Sequence, residues 1–241
     1  MARKPSRPKT TPKSARRSAA RAALPPTGSD RQRIVGAFMQ LLAEQPIERI
    51  DLKDIAQRAN VTLARLREEF DTTLAILAAQ MKDIDRAVLE GGDDMAEEPP
   101  RDRLFDVMMR RLEAIAPYKD AVRSLMRSAR CNPGLALALN GLGLHSMRWM
   151  LTAADINTSG GKGAFRAQGL ALIFAQVLRT WVDDDDPGLA RSMAELDRGL
   201  TRGQSWSRLL DDLCAVIPTP RRRRRRRSRH DEDDQPASYG A

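Results

Sequence analysis

Residues 52–70 read LKDIAQRANVTLARLREEF, two short helical patterns that meet at a tight turn. In the first, Leu52, Ile55, Ala56 and Ala59 recur at helical spacing and give one small apolar face to a core. Asn60 then ends the helix, because its short polar side chain tolerates the left-handed backbone. Val61 is apolar and plugs the corner, and Thr62 is a good N-cap for a second helix. That helix has its apolar positions at Leu63, Leu66 and Phe70, so Ala64, Arg65 and Glu68 face away from the core with Arg67 and Glu69 on the flanks. A helical pair of this kind presents one short helix to a partner, and a nucleic-acid groove is the partner such a helix fits.

The stretch resembles the DNA-binding domain of the TetR family of bacterial regulators, whose second and third helices read roughly IAxxAGVSxGTLYxHFxSKxxL. Here the corresponding run is IAQRANVTLARLREEFDTTLAIL. Ile55, Ala56, Ala59, Val61, Thr62, Leu66, Phe70 and Leu77 stand at framework positions, and residues 30–44 supply a preceding amphipathic helix through Ile34, Ala37, Phe38, Leu41 and Leu42. The contact positions depart from the pattern. Arg67 replaces the usual Tyr, Glu69 the usual His, Asn60 and Ala64 the usual Gly pair, and Thr73 the Lys that opens the fourth helix. The resemblance implies an all-α protein with an N-terminal three-helix helix-turn-helix domain and a C-terminal helical ligand and dimerisation domain. It further implies a homodimer on a partly palindromic double-stranded DNA operator, released by a small apolar effector. Lys53, Thr62, Ala64, Arg65, Arg67, Glu68 and Thr73 are the expected DNA-binding residues.

The net charge of +9 points to a polyanion until it is located along the chain. Residues 1–29 carry 8 basic and no acidic side chains, and residues 220–241 carry 8 basic and 4 acidic ones, which leaves 25 basic against 28 acidic groups between them. Residues 30–75 alone hold 7 basic and 8 acidic groups. Sequence-independent affinity for DNA is therefore expected mainly from the ends. Residues 1–29 mix Arg and Lys with Pro, Ser, Thr and Ala and are expected to be a disordered arm, and residues 218–241, with seven consecutive arginines followed by DEDD, a disordered tail.

With 41% hydrophobic and only 4% aromatic residues, the chain has few strand signals and reads as helix throughout. A connecting helix is expected over 76–92 as the continuation of a pattern starting near Thr72, and GGDDMAEEPP at 91–100 marks the domain boundary. The second domain, 101–217, is expected to hold helices over 103–116, 119–129, 132–154 and 164–182, then two short ones over 189–200 and 206–216. Asp186 is the expected N-cap and Pro187 the first helical residue of the 189–200 segment. TSGGKG at 158–163 lacks the GxxxxGK[ST] spacing and a preceding strand, so it is a flexible loop and not a phosphate loop.

Little here supports catalysis. His145 lies in an apolar helix and His230 in the tail, while Cys131 and Cys214 have no CxxC spacing and read as buried thiols. No enzyme, metal site or cofactor is expected, and no apolar run is long enough to span a bilayer, so the expected location is the bacterial cytosol or nucleoid. Met108, His145, Trp149 and Phe174 are the expected ligand-pocket residues, since thioethers and aromatic faces suit an adaptable apolar pocket. A competing resemblance is to the ubiquinone-biosynthesis lipid-binding family of the same fold, carried by RLFDVMMRRLEAIAP at 103–117 and WVDDDDPGLARSMAELDRGL at 181–200. It implies a lipid-binding accessory protein without sequence-specific DNA binding.

Overall fold

The structure, a computed structural model, describes residues 28–91 and 97–216, with 204–216 as backbone only. Residues 1–27 of the expected arm, the tail and His230 lie outside what it describes, as does the side chain of Cys214. Nine α-helices and no strand occur among the described residues: α1 (Asp30–Glu44), α2 (Leu52–Ala59), α3 (Leu63–Glu69), α4 (Thr73–Glu90), α5 (Pro100–Ile115), α6 (Lys119–Cys131), α7 (Pro133–Ala153), α8 (Gly160–Trp181) and α9 (Ala190–Val216). The all-α expectation holds. Among the described residues the chain divides into two compact units: the first, 28–91, ends at the boundary drawn at 91–100 but also takes back 111–142, and the second takes 97–110 and 143–216. Helices α5 and α7 therefore each contribute one end to either unit.

The first unit is organised around α1. Ser29 and Gln32 form a reciprocal capping box at its start, with Ser29 N–H donating to Gln32 Oε1 at 3.0 Å and Gln32 N–H donating to Ser29 Oγ at 3.3 Å. Its apolar stripe then places Ile34, Phe38 and Leu42 in a fully buried core that Ile55 of α2, Leu66 of α3 and Ile76 of α4 complete. Helix α6 packs on the same α1. The Ser124 hydroxyl donates to the Gln45 carbonyl at 3.1 Å and the Ser128 hydroxyl to Glu48 at 2.9 Å, which ties α6 to the turn between α1 and α2. Arg111 and Asp85 make a buried ion pair in this unit, with side chains only 3% and 10% exposed.

In the second unit Met147, Met150 and Leu151 of α7, Leu170, Phe174 and Trp181 of α8, and Leu196 and Leu200 of α9 are buried. Two expectations are corrected here. Residues 190–216 form one helix, α9, in place of two short ones, and α8 packs closely on it: a Cβ at Gly199 would lie 2.5 Å from Ile173 Cγ2 and one at Gly203 3.3 Å from Ile173 Cδ1. A glycine inside a helix costs about 1 kcal/mol, and tight packing of α8 on α9 offsets it.

The start of α9 also falls later than the Asp186–Pro187 reading, at Ala190. Asp184, buried, accepts from both the Ser192 N–H at 2.9 Å and the Ser192 hydroxyl at 2.7 Å, and Asp186 accepts from the Ala190 N–H at 3.2 Å. The two aspartates thus cap from further upstream, with Leu189 turning the chain at φ 50°. The Ser192 hydroxyl holds the Asp184 carboxyl below its ordinary range, ahead of the opposing effect of burial. A lowered folded-state value means this cap is fully stabilising above the ordinary carboxylate range and is lost as pH falls through the lowered one. The loop before α8 is shorter than TSGGKG, since the helix begins at Gly160. Gly163 lies against Thr158 so closely that a Cβ would sit 2.0 Å from the Thr158 backbone.

Candidate nucleic-acid interface and cavity

The turn between α2 and α3 forms as its residue types dictate. Asn60 adopts φ 53°, ψ 48°; its N–H donates to the Gln57 carbonyl at 3.2 Å, and the Val61 N–H donates to the Ala56 carbonyl at 3.0 Å. This pair of bonds closes a helix through a left-handed residue, and Val61 packs on the α1 core as the apolar plug. Thr62 then caps α3 by accepting from the Arg65 N–H at 3.2 Å, and Thr72 caps α4 by accepting from the Ala75 N–H at 3.1 Å. Replacing Thr62 by Ala removes the acceptor for an N-terminal amide of a helix only seven residues long. We expect a loss of about 1 kcal/mol in chemical denaturation and faster amide exchange confined to α3.

Only Leu66 of α3 is buried, so most of this helix faces solvent. Lys53, Thr62, Ala64, Arg65, Arg67 and Glu68 are all exposed, and Thr73 is half-buried at the start of α4. The seven expected residues thus lie on α2, at the cap and along α3, and at the start of α4, and two of their three cations, Arg65 and Arg67, are paired with carboxylates. Arg65 Nε donates to Asp30 Oδ2 at 3.0 Å and its Nη1 pairs with Glu68. The hydrogen bond to Asp30, followed by the Glu68 charge, raises the Arg65 pKa. Arg67 pairs with Asp71. Arg58 meets Glu44 through both ends of its guanidinium at 2.8 Å, holding α2 to the end of α1, and that hydrogen bond lowers the Glu44 pKa. Arg31 pairs with Asp83 at 2.8 Å and Arg33 with Asp30. Five of the seven cations in residues 30–75 are thus paired within the unit, which deepens the charge neutrality already visible in composition. Exposed pairs of this kind add little to stability, because solvent screens them. Their larger consequence is electrostatic, because each masks a charge that could meet a phosphate. Asp30 has no signal in the local sequence that marks it as a partner of Arg65, 35 residues away.

The second unit contains a cavity of about 770 Å³ lined by parts of α5, α7, α8 and α9 and the loop before α8. Leu104, Leu151, Phe165, Leu170, Ile173 and Leu200 give it an apolar wall, and Arg101, Arg166 and Glu195 contribute polar groups. Arg101 is anchored by Asp197 and Thr201, and the Asp197 hydrogen bond raises its pKa. Volume and lining suit a small apolar molecule. Met108, His145, Trp149 and Phe174 do not line it. Met108 is fully buried, Phe174 nearly so, and His145 and Trp149 lie on the exposed side of α7. Apolar character at these positions was legible, whereas the direction each side chain takes depends on tertiary packing. Cys131, expected to be buried, is exposed at the end of α6.

The arrangement of helices matches solved structures of bacterial regulators. The TetR transcriptional regulator from Nitrosomonas europaea ATCC 19718 superposes with a TM-score of 0.58 at 20% identity, over 74% of this chain and 99% of that one. A TetR transcriptional regulator from Rhodococcus sp. RHA1 superposes with a TM-score of 0.52 at 18% identity, over 72% of this chain and 95% of that one. No protein-family profile matches the chain, and no curated protein is significantly similar in sequence. At these identities the likeness establishes the fold. It is TetR-like, with a helix-turn-helix formed by α2 and α3. Among the described residues no helix is long and apolar enough to cross a membrane.

Proposed function

We propose that this chain, which has the TetR-regulator fold, is a DNA-binding transcriptional regulator that acts as a dimeric, ligand-responsive repressor in the bacterial cytosol. The observation that carries this reading is the capped α2–turn–α3 unit, whose second helix exposes nearly all of its surface. In a dimer two such helices enter successive major grooves, so the operator is partly palindromic. Arg65 donates to a guanine edge, Lys53 meets a phosphate, Arg67 meets another by leaving its exposed partner Asp71, and Ala64, Glu68 and Thr73 border the contact. Large apolar side chains left exposed on α8 and α9, namely Phe165, Leu172 and Met193, support a second copy as partner. The cavity in the second unit supports a small apolar effector, and no step of this function calls for catalysis by the chain.

The arginine role has a direct test. Operator sequences selected from a random pool, titrated with Arg65→Ala at fixed salt, should bind about 10- to 100-fold more weakly than with wild type, while random duplex changes far less. Equal losses on both duplexes would show that Arg65 contributes only charge.

A further inference from the structure

Arg65 is the arginine best placed on α3 to read a base, yet two carboxylates from different parts of the chain already hold it. Asp30 opens α1 and uses both of its oxygens, Oδ1 on Arg33 and Oδ2 on Arg65 Nε. Its side chain is only 25% exposed, so it is poorly free to swing away. Glu68, one turn along α3, takes Nη1. The Arg65 side chain is nevertheless 53% exposed. It stands at the surface, fixed in direction and electrically cancelled.

We propose that Asp30 and Glu68 are specificity-determining residues, which clamp Arg65 so that it meets a neutral base edge but is withheld from the phosphate backbone. The inference rests on the reading of α3 as the helix that enters the groove. A phosphate attracts a cation from any direction and at any sequence. To bind one, Arg65 must exchange carboxylate partners for another anion and leave two carboxylates facing the backbone, so the exchange gains little attraction and adds repulsion. A guanine edge makes different demands. Its O6 and N7 acceptors are neutral, and they can be met through Nη2 and the remaining Nη1 hydrogen while Nε stays on Asp30. The same carboxylates that repel the backbone therefore hold the fork rigid for the base, a penalty on wrong sites combined with preorganisation for the right one. The near-neutral balance of residues 30–75 fits this division of labour, with the basic ends supplying general affinity.

The test measures binding of the full-length chain to a selected operator duplex and to random duplex over a range of salt, for wild type, Asp30→Asn, Glu68→Gln and the double variant. Glu68 is 59% exposed and the amide is isosteric, so Glu68→Gln keeps the fold, with circular dichroism as the check. Each released cation should steepen the salt dependence of random-duplex binding by about one charge, and the double variant should bind random duplex about tenfold more tightly at low salt. Operator affinity should rise less, so the operator-to-random ratio falls at least threefold. A wild type with a preferred sequence whose ratio is unmoved or increased in the variants overturns the clamp alone. A wild type with no preferred sequence overturns the reading of α3, and the clamp with it.

Discussion

Replacing Arg111 by Ala should destabilise the protein by about 3–5 kcal/mol, because it takes the Arg111 cation from an Asp85 carboxylate whose side chain is only 10% exposed. The pair joins α4 to the end of α5 in the first unit, and both side chains are almost fully buried. Taking two charges out of water is costly, and their attraction roughly balances that cost, so the intact pair adds little net stability. Removing one partner forfeits the attraction and keeps the penalty. The account therefore predicts an asymmetry: Arg111→Met combined with Asp85→Leu should recover most of the loss, because apolar side chains of similar volume avoid the desolvation altogether. Urea unfolding midpoints of the wild type, single and double variants measure this directly. A single variant within about 1 kcal/mol of wild type would mean that Asp85 is relieved by solvent or by other groups.

Phe38→Ala should cost a comparable amount, about 3–5 kcal/mol, for a different reason. Phe38 is fully buried in the centre of α1, among Ile34, Leu42, Ile55, Leu66 and Ile76. Truncation removes the transfer free energy of an aromatic ring and leaves a cavity that four helices converge on and cannot close without moving apart. The loss should be felt first where local stability is least, so amide exchange in α2 and α3 should accelerate more than in the second unit. As a contrast, Leu63→Ala on the same helical hairpin should change stability by less than about 0.5 kcal/mol, since Leu63 is 48% exposed. Equal effects at Phe38 and Leu63 would contradict the assignment of the core to the α1 stripe.

How far the sequence carried the fold depends on how local the determining interaction is. Asn60, Val61 and Thr62 spelled out the turn because a left-handed closure, an apolar plug and an N-cap are all satisfied within a few residues. The stripe of Ile34, Phe38 and Leu42 was equally legible from its period. The start of α9 was not, because the cap comes from Asp184 through a residue eight positions on, and a reading confined to adjacent positions favours Asp186 and Pro187. The grouping of 111–142 with the first unit was hidden for the same reason, as it rests on contacts such as Ser124 with Gln45 and Ser128 with Glu48.

The candidate site divides along the same line. Exposure of Ala64, Arg65 and Glu68 followed from helical spacing, but the partners of Arg65 did not, since Asp30 lies a whole helix away. In the cavity, Leu104, Phe165 and Ile173 follow the same helical pattern as the buried Met108 and Phe174. Periodicity says that such residues avoid water; it does not say which of them border an open space and which pack against a neighbour.

Selection of bound duplexes from a random pool by the full-length chain, repeated without residues 1–29 and 220–241, tests whether α3 reads DNA. Both forms should enrich the same partly palindromic sequence with half-sites about one helical turn apart, the shortened form more weakly and with a shallower salt dependence. Enrichment of no sequence by either form, with binding that disappears when the basic ends are removed, would contradict that reading of α3.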